Sequence, residues 1–461
     1  MDSLAYSRKN TFADADAAQL ARIEAFASNY KNFLDYAKTE RDAVKLSVAM
    51  AERNGYRPFR FGERLRVGDK RYYNNRNKNL FLFHIGEEDI EKAGIRIVAA
   101  HIDSPRVDIK QNPLYEKEGA AFFKTHYYGG LRKYQWTAIP LALHGVVTLS
   151  DGTVKDVTVG EAESDPVFYI SDLLPHLAQK QNERRLPEGI TGEELNVWVG
   201  GIAVKTEGSA DAEKPKDTVK EGVLRILNKK YGMTEEDFLT AELTAVPATK
   251  ARDVGFDGAF IAGYGHDDKV CAFPALMAQL ESDTAHTSFT VLADKEEIGS
   301  EGVTGMQCMV FTDLLDEICA SLGRNVHAVR ANSACLSADV TSAYDPTFAD
   351  AFEKNNAAVC SAGVALMKFT GTRGKSGSSD ASSEFFARVR SLFNAEGVIW
   401  QTGELGRVDL GGGGTVAKYI ASKNIDTLDV GTPVISMHSP YELISKGDLY
   451  HTYLAFRAFY K

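Results

Sequence analysis

The chain has 461 residues, 44% of them hydrophobic, and its 53 basic and 63 acidic residues give a formal net charge of −10. This length allows a large core and about two domains, and the acidic balance without any basic run argues against a nucleic-acid partner. No apolar run reaches the roughly 18 residues of a membrane span. Five cysteines without CxxC spacing are typical of reduced thiols. We therefore expect a cytoplasmic protein that binds neither membranes nor nucleic acid.

The first hundred residues combine helix and strand signals. Apolar residues recur every three to four positions between 14 and 38, which predicts a helix with Asp14 or Asp16 as its N-cap. A second helix is predicted over Thr39–Arg53, because Gly55 follows as a stop signal. Two short apolar runs predict buried strands, Phe81–Phe83 and Ile95–Ala100.

Between residues 106 and 252 helix signals become sparse. Alternating strand patterns replace them, as in Gly145–Ser150 and Leu195–Val199. The charged stretch Thr206–Glu221 has few apolar residues, which predicts a surface loop. We therefore expect a β-rich domain that interrupts an α/β domain, with the boundaries 1–105, 106–252 and 253–461.

Strands alternate with helices again after residue 253. This alternation predicts a mostly parallel sheet with helices on both faces. The predicted strands are Ala259–Ala262, Phe289–Ala293, Ala334–Ala338 and Val434–Met437. The predicted helices are Lys269–Leu280, Thr304–Leu322, Ser379–Ala395 and Tyr441–Tyr460.

The stretch Ser288–Ser300, SFTVLADKEEIGS, joins a predicted buried strand to two adjacent carboxylates. Glu296 and Glu297 follow the carboxyl end of the strand, where open α/β sheets usually bind ligands. Neighbouring side chains point in different directions, so one glutamate could bind a cation while the other moves a proton. A solvated acidic turn is the ordinary interpretation of such a pair. The rest of the sequence has to decide between a solvated turn and a functional pair.

Five potential metal ligands directly follow a predicted strand or lie a few residues beyond one: His101, Asp267, Glu297, Asp339 and His438. Because the carboxyl ends of parallel strands meet at one edge of a sheet, these side chains can share a cleft. Two imidazoles and three carboxylates suit two divalent ions bridged by one carboxylate, and they favour Zn, Mn or Co. Such a pair activates a water and polarises a carbonyl. Asp103 can hydrogen-bond the second imidazole nitrogen of His101.

Six motifs between residues 99 and 442 carry a resemblance to a known family: AAHIDSP, HYYGG, GHDDKVCAF, DKEEIGSEG, SADVTSAYDP and SMHSPYE. In this order and spacing the chain resembles the M18 family of metallo-aminopeptidases, the aspartyl aminopeptidase family, in its bacterial-type branch. The resemblance implies a zinc-exopeptidase fold and an enzyme that removes the N-terminal residue of peptides. It also implies a two-zinc site made by the five ligands, with Asp267 as the bridge and Glu296 as the general base.

The resemblance further implies a substrate preference and an assembly. A basic residue that contacts an acidic substrate side chain in the family is matched by Lys368, and Arg373 or Lys375 could assist it. The family insertion dimerises and lends a histidine to the neighbouring active site. His176 matches that histidine, although a helix-capping role is equally open. We expect a preference for N-terminal Asp or Glu, and a homo-oligomer of dimers formed through residues 106–252, up to a dodecamer.

Two other functions stay open at this point. A broad-specificity or glutamyl aminopeptidase of a related co-catalytic metallopeptidase family would use the same kind of centre. A non-catalytic metal-binding scaffold would keep the ligands, but it would not need the base that Glu296 provides.

Overall fold

The computed structural model describes residues 4–205, 218–282 and 285–461. By their contacts the residues divide into two compact units. The first unit comprises Met1–Ser104, Ala251–Met437 and Tyr441–Lys461, and the second comprises Pro105–Lys250 and His438–Pro440.

A nine-stranded sheet lies at the centre of the first unit. Among the described strands, five neighbouring pairs are parallel and three are antiparallel. In spatial order the strands are Arg57–Pro58, Lys70–Asn75, Asn79–His84, Ser288–Ala293, Arg96–His101, Ala334–Ser337, Asp426–Gly431, Val364–Met367 and Trp400–Thr402. The predicted α/β class is confirmed, and the sheet is mixed, with parallel pairs in the majority.

One of the antiparallel pairs has a local cause. Lys70–Asn75 and Asn79–His84 are joined by a turn in which Arg76 and Asn77 both have positive φ. Such a short link leaves no room for the crossover that a parallel pair requires. The parallel strands from Ser288–Ala293 to Asp426–Gly431 occupy the middle of the sheet.

Alternate residues of the central strands pack into two hydrophobic cores, one on each face of the sheet. Leu80 and Leu82 belong to one core, and Phe81 and Phe83 belong to the other. Helices cover the first core, namely Ala17–Tyr36, Glu40–Arg53, His266–Leu280, Ser383–Ala395 and Lys446–Tyr460. Helices also cover the second, namely Ile90–Ala93, Val310–Leu322, Val326–Asn332 and Ala417–Ala421. The prediction of helices on both faces is confirmed.

The first N-terminal helix begins at a predicted cap, and the second begins one residue after its predicted start. Asp16 precedes Ala17–Tyr36 and accepts a hydrogen bond of 2.7 Å from the backbone N–H of Gln19. Thr39 precedes Glu40–Arg53 and forms a reciprocal capping box with Asp42. Each such cap is worth about 1 kcal/mol, which explains why local sequence located these helices correctly.

Two helices begin later in the chain than predicted. The helix predicted from Thr304 starts at Val310, because Thr304 Oγ1 donates a hydrogen bond of 2.6 Å to Asp294 and Gly305 pairs with the same residue. The helix predicted from Ser379 begins at Ser383. Ser382 caps that helix, and the preceding residues do not have helical geometry.

The prediction of helix from Tyr441 onward is wrong for its first residues. Glu442–Ser445 is a strand, and the helix is Lys446–Tyr460. The strand pairs antiparallel with both Phe260–Gly263 and Pro433–Ile435, a non-local pairing that local periodicity does not reveal. These strands belong to a five-stranded sheet with Arg252–Val254 and Thr341–Ser342. A two-stranded sheet pairs Gly371–Thr372 with Gly412–Gly413.

The second unit contains a seven-stranded sheet whose described pairs are all antiparallel. In spatial order its strands are Val154–Val159, Leu141–Thr148, Glu242–Pro247, Arg106–Lys117, Ala120–Tyr128, Val197–Gly200 and Tyr169–Ile170. Among the described residues of this unit, the α-helices are Gln179–Asn182 and Thr218–Tyr231. Most of the predicted surface loop at 206–221 lies outside the described residues, and its last four residues begin the second helix. None of the helices described in either unit has the length and apolar character needed to cross a membrane.

Protonation of His451 is expected to lower stability at acid pH. Its Nδ1 accepts a hydrogen bond of 2.9 Å from the Ile399 N–H, and burial lowers the pKa of His451 to about 4. The pKa of histidine in an unfolded chain is about 6.5. Between these values only the unfolded chain binds the proton, so stability is lost as the pH falls through this window.

His451→Asn keeps an acceptor for the Ile399 N–H but cannot be protonated. Between about pH 8 and about pH 5, the free energy of unfolding should fall by about 2 kcal/mol more in wild type than in the variant. Urea denaturation at the two pH values measures this difference. His327→Asn, at an exposed position, is the control and should retain the wild-type pH dependence. The same pH dependence in wild type and in the His451 variant would contradict the prediction.

Candidate metal centre and active site

Three neighbouring parallel strands bring the proposed site residues to one edge of the central sheet. His101 is the last residue of Arg96–His101, which pairs with Ser288–Ala293 on one side and Ala334–Ser337 on the other. Asp339 lies two residues beyond the latter strand. Glu296 and Glu297 begin a short 3₁₀ turn just after Ser288–Ala293. The carboxyl ends of parallel strands are the usual ligand-binding edge of such a sheet.

Asp103 connects two of these segments. One carboxylate oxygen accepts the backbone N–H of Glu296 at 3.1 Å, and the other accepts the backbone N–H of Glu297 at 3.2 Å. The same carboxylate lies 3.3 Å from Nδ1 of His101, and the Asp103 carbonyl oxygen lies 3.0 Å from that nitrogen. Asp103 is fully buried. It therefore orients the imidazole and the glutamate turn together.

The first turn of the helix His266–Leu280 supplies two more carboxylates. Asp267 and Asp268 do not have helical backbone angles, and the peptide bond between them is cis. The Asp267 N–H donates to Glu442 Oε2 at 3.1 Å, and Asp268 Oδ2 accepts the backbone N–H of His101 at 3.2 Å. These contacts bring both carboxylates beside the end of the strand that carries His101.

Two groups of side chains have the composition and spacing of a metal site. One consists of His101, Asp267 and Glu297, and the other of His101, Asp268 and Asp339. Within each group the potential ligand atoms all lie within 4.8 Å of one another. His101 Nε2 is 3.1 Å from Asp267 Oδ1 and 3.9 Å from Asp339 Oδ1. One imidazole with two carboxylates is a donor set that zinc and similar divalent ions bind.

The electrostatics of the site also favour a bound cation. Burial raises the pKa of Asp339 well above its ordinary value, and the charge of Glu296 raises it further. Burial likewise raises the pKa of Asp268. Burial opposes a charge on His101, but hydrogen bonds to the neighbouring carboxylates outweigh it and raise the pKa of the imidazole. Buried acids that repel one another are stabilised by a divalent ion, so these residues fit the metal that the sequence predicts.

The fifth proposed ligand, His438, belongs to the second unit. Its Nδ1 lies 3.1 Å from the carbonyl oxygen of Gly130. The preceding strand ends at Ile435, two residues earlier than predicted. An imidazole that donates from Nδ1 presents Nε2 as its acceptor, which is the form that ligates a metal.

The proposed substrate-binding residues have different surroundings. Lys368 is exposed and directly follows the strand Val364–Met367. The Nζ of Lys375 lies 3.3 Å from Asp380 and 3.9 Å from the centre of the Phe369 ring. Both contacts engage the charge of Lys375 within the chain.

His176 is exposed in the second unit. It precedes the helix Gln179–Asn182, whose N-cap is Ala178 and has no side-chain capping hydrogen bond. The helix-capping alternative for His176 is therefore not found.

The sequence analysis did not select Asp268, Ser104 or Lys269. All three are buried beside the residues that it did select. The adjacent acids in GHDDK were the available signal for Asp268, since a second carboxylate next to a proposed ligand is close enough to join the same site. No sequence pattern indicated the contacts of Ser104 and Lys269.

The comparisons with known proteins agree with this fold. The family model described as aminopeptidase I zinc metalloprotease (M18) matches residues 33–460. A probable M18 family aminopeptidase 1 from Clostridium acetobutylicum is 45% identical over 460 residues, which cover 98% of this chain and 97% of the relative. The crystal structure of an M18-family aminopeptidase from Thermotoga maritima is 41% identical with a TM-score of 0.93, and covers 99% of this chain and 100% of that chain.

A more distant structure shares the fold. The S. cerevisiae mApe1 dodecamer is 21% identical with a TM-score of 0.76, over 95% of this chain and 97% of that chain. Fold, site and close relatives together define a metallo-aminopeptidase, a hydrolase that acts on peptide bonds. The chain belongs to the M18 family of zinc aminopeptidases.

Replacement of Asp103 by Asn is expected to weaken metal binding. The amide offers only one acceptor oxygen, so one of the two backbone N–H groups now held by Asp103 loses its partner. Loss of such outer contacts typically costs about 10–100-fold in metal affinity or activity. Zinc affinity measured by competition with a chelator should fall by this factor, and Asp316→Asn, at an exposed position, should leave it unchanged. Wild-type zinc affinity in Asp103→Asn would show that the centre does not depend on Asp103.

Proposed function

We propose that the chain is a dinuclear metal-dependent aminopeptidase that prefers peptides with N-terminal Asp or Glu. The observation that carries the proposal is the pair of ligand groups that share His101 at the edge of the central sheet. Two divalent ions per subunit are proposed, with Zn as the native metal and Mn or Co as alternatives. Peptides are the expected partners, and a cytoplasmic location stays a prediction.

The contacts of His101 support a bridging carboxylate. Its Nδ1 faces Asp103, which leaves Nε2 as the nitrogen that can ligate a metal. One nitrogen binds one ion, so a pair of ions needs a residue with two ligand oxygens between them. Asp267 is the proposed bridge because its Oδ1 lies 3.1 Å from Nε2. Glu297 and Asp339 are proposed as further ligands, and the family pattern adds His438.

Divalent ions bound at this centre would lower the pKa of a water and polarise the scissile carbonyl. Glu296 is the proposed general base, which takes the proton of the attacking water on its carboxylate and returns it to the leaving amine. Its backbone is anchored on Asp103, as is the backbone of Glu297. Asp103 therefore holds the backbone of both the proposed base, Glu296, and the proposed ligand, Glu297, while the two side chains have different roles.

Membership of a peptidase family removes the non-catalytic scaffold from the alternatives. A broad-specificity or glutamyl preference remains the competing proposal. The exposed Lys368, which directly follows a strand of the central sheet, supports acidic specificity, because its charge can pair with a substrate carboxylate.

Glu296→Gln and Glu297→Gln should have different phenotypes. Glutamine at 296 keeps the size of the side chain but cannot take a proton, and loss of a general base typically costs about 10²–10⁴-fold in rate. We expect kcat to fall at least about a hundredfold, with zinc content and KM near those of wild type. Glutamine at 297 should lose zinc together with activity.

Elemental analysis and steady-state kinetics on the two purified variants separate the roles. If Glu296→Gln lost zinc while Glu297→Gln stayed loaded and inactive, the two assignments would have to be exchanged. Wild-type turnover in Glu296→Gln would remove the proposed mechanism.

Lys368→Met should reduce the preference for acidic substrates. A charge-assisted hydrogen bond is worth roughly 1.5–3 kcal/mol, or about one to two decades in rate constant. We expect kcat/KM for an Asp p-nitroanilide to fall by this factor and that for a Leu p-nitroanilide to stay unchanged. Lys423→Met, which removes another exposed lysine that belongs to no proposed site, is the control and should change neither rate constant. Faster cleavage of the Leu substrate than of the Asp substrate by wild type would count against acidic specificity.

A homo-oligomer built from dimers through residues 106–252, and reaching a dodecamer, is also proposed. Exposed apolar side chains in the second unit support it: Leu173, Leu174 and Leu177 are 53%, 50% and 67% exposed. Apolar groups of this kind mark interaction surfaces. His176 lies among them, and its reach into a neighbouring active site belongs to the same proposal.

Light scattering should give a mass close to twelve times the 50.5 kDa of the chain. Leu177→Asp places a charge among the exposed leucines and should shift the mass toward smaller species. A stable wild-type monomer at working concentration would refute the assembly.

A further inference from the structure

Lys269 is a fully buried lysine directly after the two acids of the metal centre. Its Nζ donates a hydrogen bond of 2.6 Å to Ser104 Oγ, and Ser104 Oγ donates one of 2.7 Å to the carbonyl oxygen of Asp267. Two hydrogen bonds therefore lead from the lysine to the peptide group between Asp267 and Asp268. The hydroxyl of Ser104 can make both bonds, because it donates one and accepts the other.

These two hydrogen bonds form a relay from Lys269 through Ser104 to the carbonyl oxygen of Asp267. The relay connects two separate parts of the first unit. Ser104 lies just beyond the strand that ends at His101, whereas Lys269 lies on the helix that follows the acids. On the opposite side of Asp267, its N–H is bound by the buried carboxylate of Glu442. Both backbone groups of Asp267 are thus hydrogen-bonded to buried polar side chains, which fixes the backbone from which its carboxylate extends.

The backbone at Gly265 leaves the space that this relay occupies. A Cβ atom at this position would lie 2.8 Å from Lys269 Nζ and 2.9 Å from Ser104 Oγ. The φ of Gly265 is +78°, which other residues rarely adopt. The glycine thus accommodates the lysine and the serine side by side.

A buried lysine is costly for stability alone. Desolvation of a charged group is unfavourable, and an apolar side chain of similar volume often packs as well or better. If the side chain at position 269 only filled the core, methionine would serve there as well as lysine does. A donor at this depth therefore indicates a task that an apolar side chain cannot perform.

We propose that Lys269 is a positioning residue for the metal centre. Through Ser104 it holds the peptide of Asp267 and Asp268 in the orientation that brings both carboxylates beside His101. The inference rests on the proposed function, because it takes Asp267 as a ligand. Its effect is exerted on the backbone of the ligands, and Lys269 itself touches neither substrate nor metal.

The alternative is that Lys269 acts only by its charge among the acids. The two explanations differ in what Ser104 does. A charge effect survives Ser104→Ala, because the lysine remains. The relay is broken equally by Ser104→Ala and by Lys269→Met, so the double variant should be no worse than either single variant.

Zinc affinity of the full-length protein, measured by competition with a chelator, tests the relay. We expect Lys269→Met, Ser104→Ala and the double variant each to bind zinc about 10–100-fold more weakly than wild type. At saturating zinc, kcat should recover toward wild type with KM unchanged. Lys446→Met is the matched control, since Lys446 is also buried but pairs with Glu24 and Asp253 instead, and it should keep wild-type zinc affinity.

The possible outcomes are distinguishable. Wild-type zinc affinity in Ser104→Ala, or additive losses in the double variant, would overturn the relay. Asp267→Asn separates this from the proposed function: if it too bound zinc as wild type does, the metal site itself would be wrong. Should Lys269→Met fail to fold, Ser104→Ala decides, because it removes only a hydroxyl. A lowered melting temperature with normal zinc affinity would show a purely structural lysine and overturn the inference.

Discussion

The carboxylate of Asp103 is the contact on which the arrangement of the site depends. It accepts two consecutive backbone N–H groups from the glutamate turn, at 3.1 and 3.2 Å, and lies against the imidazole of His101. Hydrogen bonds to a charged acceptor are about twice as strong as neutral ones. A turn that begins in the left-handed region at Lys295 is thereby kept at the end of its strand. Without the Asp103 carboxylate, the imidazole of His101 and the backbone of the glutamate turn would no longer be held by the same group.

The fold buries several carboxylates near the site, and the burial of charged groups lowers the stability of the fold. Asp103, Asp268 and Asp294 are all buried next to strands whose other residues belong to two hydrophobic cores. Burial raises the pKa of Asp294 to about 7. Burial of charge in this way is unfavourable for the stability of the fold, whereas it favours the binding of a cation. Cation binding therefore accounts for Asp268, while Asp103 also holds the backbone of the glutamate turn and Asp294 also holds Thr304.

Local signals located the elements of the fold where local interactions decide them. Asp16 and Thr39 predicted helix starts because a cap acts within three residues, and the β-branched strands were recognised from their apolar runs. The errors fall where distant contacts decide. The strand Glu442–Ser445 exists because it pairs with Phe260–Gly263, and the residues after Thr304 are held by Asp294. The proposed ligands could be selected because strand ends in an α/β sheet converge, whereas Asp268 and Lys269 depend on backbone geometry that periodicity does not contain.

The division proposed between Glu296 and Glu297 rests on how their backbone is held. Both residues are anchored through their N–H groups to Asp103, which fixes the backbone of the turn. Adjacent residues in a 3₁₀ turn point their side chains about 120° apart, which allows Glu297 to join the group with His101 while the charge of Glu296 acts on Asp339. A change in one carboxylate should therefore leave the backbone that carries the other in place. The proposed ligand and the proposed base would thus share one anchor while their side chains point in two directions.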